Sequence, residues 1–117
     1  MIYNGADRRE WPRVDVRLPI RFREVGEFGS SPIDSETQDV SEGGIKFNSG
    51  KFLPKNSKLV LNMNLTDVNG MKATVKVVWS ARDSHTSMYE TGVEFDNIPS
   101  EARGQLSHFV RGNLNNL

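Results

Sequence analysis

Leu59-Val60-Leu61-Asn62-Met63-Asn64-Leu65, then Asp67-Val68-Asn69-Gly70, then Lys72-Ala73-Thr74-Val75-Lys76-Val77-Val78-Trp79-Ser80-Ala81-Arg82 reads as two strands and the turn between them. Leu59, Leu61, Met63 and Leu65 fall on every second position, the period of a strand with one buried face. Asn-Gly accepts the positive φ angles of a tight hairpin, so the turn is expected at Asp67–Gly70. On the return, Ala73, Val75, Val77, Trp79 and Ala81 share the face that should look inward. Lys72, Thr74, Lys76, Ser80 and Arg82 share the other.

The pattern extends in both directions. Upstream, Val14, Val16, Leu18, Ile20 and Phe22 alternate with Asp15, Arg17, Pro19, Arg21 and Arg23, a half-buried strand in which Pro19 marks an edge or a bulge. A weaker strand is expected over about Ile33 to Val40. A turn at Ser41-Glu42-Gly43-Gly44 leads into a short strand opening Ile45-Lys46-Phe47. Downstream, Asp83–Ser87 is a polar turn and Tyr89–Phe95 a last strand. The period then changes: Ala102, Leu106, Phe109, Val110, Leu114 and Leu117 form one helical stripe, with Pro99 at its opening turn. Five or six short antiparallel strands and one terminal helix predict an all-β fold, a small barrel with a helical lid. The division is residues 1–13 as an N-terminal arm, 14–98 as barrel and 99–117 as helix.

Composition narrows the function classes. At 117 residues the chain fits one domain. The 15 Lys+Arg balance 15 Asp+Glu, so bulk charge gives no reason for binding nucleic acid or anionic membrane. With no Cys there is no disulfide framework, thiolate metal site or cysteine nucleophile. No apolar run is long enough to span a bilayer, and a cytoplasmic location is expected. His85 and His108 lack clustered ligand partners, and no G-x-S-x-G pattern occurs, so neither a metal centre nor an enzyme is expected. An oligonucleotide-binding barrel would want aromatics on exposed strand faces, whereas the strand aromatics here share the inward register.

The neutral total conceals segregation. Six of the nine arginines lie within residues 1–23, which carry +3, while residues 24–48 carry −5. Two constellations could use this. Arg8-Arg9-Glu10-Trp11-Pro12-Arg13 offers guanidinium groups, which bind phosphate or the guanine O6/N7 edge in bidentate fashion and stack on bases. Taken alone, it fits a solvated basic tail better than a binding device. Asp39-Val40-Ser41-Glu42-Gly43-Gly44 sets a carboxylate and a hydroxyl two residues apart beside glycines whose backbone a ligand can approach. Taken alone, it fits a turn that satisfies only its own backbone better than a ligand site.

Together the two resemble the paired signature of PilZ domains, bacterial receptors for cyclic di-GMP: Arg9-x-x-x-Arg13 before the first strand, then Asp39-x-Ser41-x-x-Gly44. Gly43-Gly44-Ile45-Lys46-Phe47, Val75-x-Val77-Val78-Trp79 and Thr91-Gly92-Val93-Glu94-Phe95 extend the resemblance over about Asp7 to Asn113. It implies a six-stranded antiparallel β-barrel with a C-terminal helix. It also implies that Arg9 and Arg13 grip phosphates and guanine edges, that Asp39 and Ser41 hydrogen-bond the ligand, and that Gly43 and Gly44 keep the turn open to it. Arg8 stands where the family decides between one and two stacked nucleotides, and its identity implies an intercalated dimer of cyclic di-GMP. The expected function is a non-enzymatic receptor without cofactor that signals through an unidentified downstream protein or its own oligomeric state. The alternative is a PilZ-like adaptor that binds protein and no nucleotide.

Overall fold

In the computed structural model, residues 11–26, 31–65 and 68–115 are described. The strands are β1 (Val14–Asp15), β2 (Pro19–Glu24), β3 (Ile33–Val40), β4 (Gly44–Asn48), β5 (Lys58–Leu65), β6 (Val68–Arg82) and β7 (Tyr89–Asn97). One helix, α1 (Ser100–Asn115), follows. Every pairing is antiparallel, in the order β3-β2-β5-β6-β7-β4, and β4 pairs back with β3. Six strands therefore close a barrel, and β1 adds a two-residue extension on β3. Closure leaves no long free edge, which is how a small all-β chain satisfies its backbone.

The alternating residues build the interior as expected. Ile20, Phe22, Leu59, Leu61, Met63, Val75 and Val77 are buried, and Phe22 packs on Phe47 with ring centroids 5.0 Å apart. The helical stripe closes one end: Leu106 and Val110 are fully buried in the same core, with Ala102, Phe109 and Leu114 packed beside them. Leu117 lies outside the described residues. Between β4 and β5, Leu53 is fully buried, held where its amide donates to Ser80 Oγ at 3.1 Å.

Three local expectations change, each because a strand takes in an extra residue. The first strand is split at Val16–Leu18, where the buried Thr37 hydroxyl donates to the Val16 carbonyl and accepts from the Leu18 amide. Asn69-Gly70 is not the hairpin turn but lies inside β6. Met63 pairs with Met71 and Leu65 with Val68, so Asn69 and Gly70 together face Asn64. Gly70 takes φ +74° and donates its amide to Asn64 Oδ1 at 2.8 Å, the geometry of a glycine bulge. The third break falls between Val77 and Trp79, which pair with Val93 and Gly92, so Val78 is the inserted residue. Beyond it the parity reverses. Trp79 turns outward and is 41% exposed rather than in the core, Ala81 is exposed, and Ser80 turns in to meet Thr91 Oγ1 at 2.9 Å.

Candidate functional site

The reversal at Val78 finishes a row of outward-facing positions that crosses five strands. Asp15 on β1 pairs with Asp39 on β3, Asp39 with Lys46 on β4, Lys46 with Gly92 on β7, and Gly92 with Trp79 on β6. Gly92 carries no side chain, and the Trp79 indole occupies that space. A methyl group on Gly92 would lie 2.3 Å from Trp79 Nε1. The result is a cleft of about 410 Å³ on the barrel wall, within the range of small-molecule sites. Trp11, Arg13, Asp39, Lys46, Trp79 and Glu94 line it together with the Ser41–Gly44 turn.

The turn is rigid because it uses its own polar groups. Ser41 Oγ accepts the amides of Gly43 and Gly44, both at 3.1 Å, and donates to the Gly44 carbonyl at 3.2 Å. The Ser41 amide reaches the same carbonyl, and the Gly43 carbonyl accepts from Phe95 N, both at 2.9 Å. One donor and two acceptors exhaust a hydroxyl, so Ser41, 8% exposed, serves the shape of the turn. Gly44 is required for space: a methyl group there would lie 2.0 Å from the Val93 carbonyl oxygen. Its lack of a side chain lets β4 approach β7, rather than opening the turn outward.

Asp39 is the buried charge of the site, 8% exposed. Burial pushes its carboxyl above the usual carboxylate range, and the Arg13 and Lys46 cations pull it partly back. Asp15 and Glu90 add smaller upward pushes. Lys46 Nζ stands 3.8 Å from Asp39 Oδ2, beyond hydrogen-bond range, and Glu94 is bound by Lys76 at 3.3 Å. The cleft thus sets two cations, a carboxylate with room to accept, and two indoles against a glycine floor. That combination suits a planar, polar, anionic ligand.

Of the residues singled out from the sequence, Arg13, Asp39, Ser41, Gly43 and Gly44 all line this cleft. Arg8 and Arg9 lie outside the described residues. Sequence reasoning missed Trp79, assigned to the core, and gave no site role to Lys46 or Glu94. The available signal was Gly92: a glycine inside a strand marks a bulge or a close approach by a neighbour. Among the described residues no three His, Asp or Glu side chains gather as a metal site, and no helix is long and apolar enough to cross a membrane.

The family model described as PilZ domain matches residues 7–112, which include both constellations. Among solved structures, the inhibitor of motility MotI/DgrA of Bacillus subtilis superposes with a TM-score of 0.78 at 19% identity. The match takes in 94% of this chain and 53% of that one, so the chain spans about half the length of that protein. The PilZ domain of YcgR from Escherichia coli, solved with c-di-GMP, gives 0.67 at 12% identity over 93% of each chain. MrkH from K. pneumonia, solved as a c-di-GMP complex, gives 0.70 at 15% identity over 93% of this chain and 53% of its own. At these identities the likeness is one of fold. No curated protein matches the sequence.

Proposed function

The chain belongs to the PilZ domain family, and from that premise we propose that its cleft is a receptor site for cyclic di-GMP. What supports this reading is convergence: Arg13, Asp39 and the Ser41–Gly44 turn, far apart in sequence, line one cleft of ligand size. In the proposed complex the Arg13 guanidinium binds phosphate oxygens or a guanine O6/N7 edge, with Arg9 and Arg8 adding the same chemistry from the arm. The Asp39 carboxylate accepts from guanine N–H donors, and the Trp79 indole offers a face to a purine ring. Ser41, Gly43 and Gly44 hold the floor on which the ligand sits. Two stacked nucleotides are the proposed stoichiometry, because Arg8 supplies a further stacking plane.

The proposed protein is a non-enzymatic switch of the bacterial cytoplasm without cofactor. Its output passes to a downstream protein or to its own assembly. Isothermal calorimetry with cyclic di-GMP, against GMP and linear pGpG, tests the reading. Saturable binding of the cyclic dinucleotide alone, lost in Arg13→Ala, is the expected result. Absence of heat with all three sinks it in favour of a protein-binding adaptor.

A further inference from the structure

Trp11 does not follow from the nucleotide-binding constellations, and its surroundings assign it a task. β1 pairs Val14 with Val40 and Asp15 with Asp39. Continued outward, that register brings Arg13 level with Ser41 and Trp11 level with Gly43. The side chains agree: a methyl group on Gly43 would lie 2.7 Å from Trp11 Cδ1, 3.0 Å from Cγ and 3.1 Å from Nε1. The pyrrole edge of the indole therefore stands over Gly43. Gly43 is not among the positive-φ glycines Gly26, Gly50 and Gly70, so what a side chain would cost there is space. Its amide and carbonyl are both bonded, to Ser41 Oγ and Phe95 N, which makes the floor under the indole firm.

From this geometry we infer that Trp11 is a positioning residue, a peg that seats the Trp11–Arg13 segment on the ligand-binding turn. Pro12 stiffens the single step from the peg to Arg13 by fixing its own φ and restricting Trp11. Arg13 is thereby held beside Asp39, on which its charge acts. A Trp11–Arg13 segment seated before the ligand arrives loses less entropy when the Arg13 guanidinium closes on a phosphate. Trp11 thus acts on the ligand through Arg13, and Gly43 is the seat that makes this possible. The ligand named here rests on the cyclic di-GMP reading; the docking of the Trp11–Arg13 segment does not.

The test is a double-mutant cycle with a ligand-free control. Trp11→Ala and Gly43→Ala, which unseats the indole, should each weaken cyclic di-GMP binding by about tenfold, the scale of a lost aromatic contact. The pair together should lose no more than either alone, and Trp11→Phe should retain most of the affinity. In the free wild-type protein, NMR should show an Overhauser contact between the Trp11 ring protons and the Gly43 α protons, absent in Gly43→Ala. Additive losses, or full affinity in Trp11→Ala, overturn the positioning role. Absence of the Overhauser contact overturns the docking itself. If wild type shows that contact yet binds no cyclic di-GMP, the positioning role falls with the receptor reading while the docked segment stands.

Discussion

Replacing Gly44 by Ala measures what the turn owes to backbone packing. The new methyl carbon would sit 2.0 Å from the Val93 carbonyl oxygen and 3.0 Å from the Glu94 Cα. Carbon and carbonyl oxygen ordinarily approach no closer than about 3.3 Å, so the strands must part by about 1 Å or more. Both neighbours are backbone atoms in paired strands, with Gly44 opposite Glu94 and Ile45 opposite Val93, and neither can swing aside. Parting them strains the Phe95 N to Gly43 O bond of 2.9 Å and the Ser41 bonds that define the turn. An overpacked site and a weakened buried backbone bond together cost about 2–4 kcal/mol. For a domain of this size that is a fall in melting temperature of about 8–16 °C. Calorimetric melting of Gly44→Ala beside Gly43→Ala is the assay. The second methyl meets the movable Trp11 indole first, a side chain rather than backbone, and should cost below about 1 kcal/mol. Equal melting temperatures in the two variants would refute the argument from backbone proximity.

Arg13→Ala should weaken cyclic di-GMP binding by about tenfold to a hundredfold, the range for a charge-assisted hydrogen bond, and leave the melting temperature nearly unchanged because no core atom is lost. Calorimetry and a melt on the same sample check both halves. The Asp39 carboxyl is raised in the folded state, chiefly by burial, so its cost to stability is absent below the unfolded carboxylate value and fully present above the folded one. Asp39→Asn should therefore gain stability relative to wild type as pH rises from about 4 to 7, read from urea melts at both, while its nucleotide affinity falls. Trp11 and Trp79 both line the cleft, so ligand should change tryptophan emission through both, and Trp11→Phe should keep a measurable part of the signal. Complete loss of the signal in that variant would remove Trp79 from the site.

The barrel was legible wherever alternation ran uninterrupted. Ile20 and Phe22, Leu59 through Leu65, and Ala73 through Val77 are buried at the positions their period assigns, and the helical stripe closes one end as its spacing requires. What escaped were the insertions. A bulge adds one residue without changing residue types, so a period-two reading carried past Val78 puts Trp79 on the wrong face. Likewise Asn69-Gly70 suits any backbone that needs positive φ, and the chain uses it for a bulge instead of the turn. The cleft-lining residues Arg13, Asp39, Ser41, Gly43 and Gly44 were legible through paired spacing. The structural tasks of Ser41 and Gly44 were not, because both depend on β7 or on the closed turn, contacts that only the folded chain creates.

Cyclic di-GMP is proposed to bind at the cleft between Arg13 and the Asp39–Gly44 turn. Titration of isotopically labelled protein with cyclic di-GMP, followed by amide and indole N–H shifts, tests it most directly. The predicted result is saturable perturbation confined to Trp11, Arg13, Asp39 through Lys46, Val78, Trp79 and Gly92 through Glu94. Phe52, Met88 and Tyr89, which do not line the cleft, should remain still. An unchanged spectrum at saturating nucleotide, or shifts centred on Phe52 and Tyr89, would contradict it.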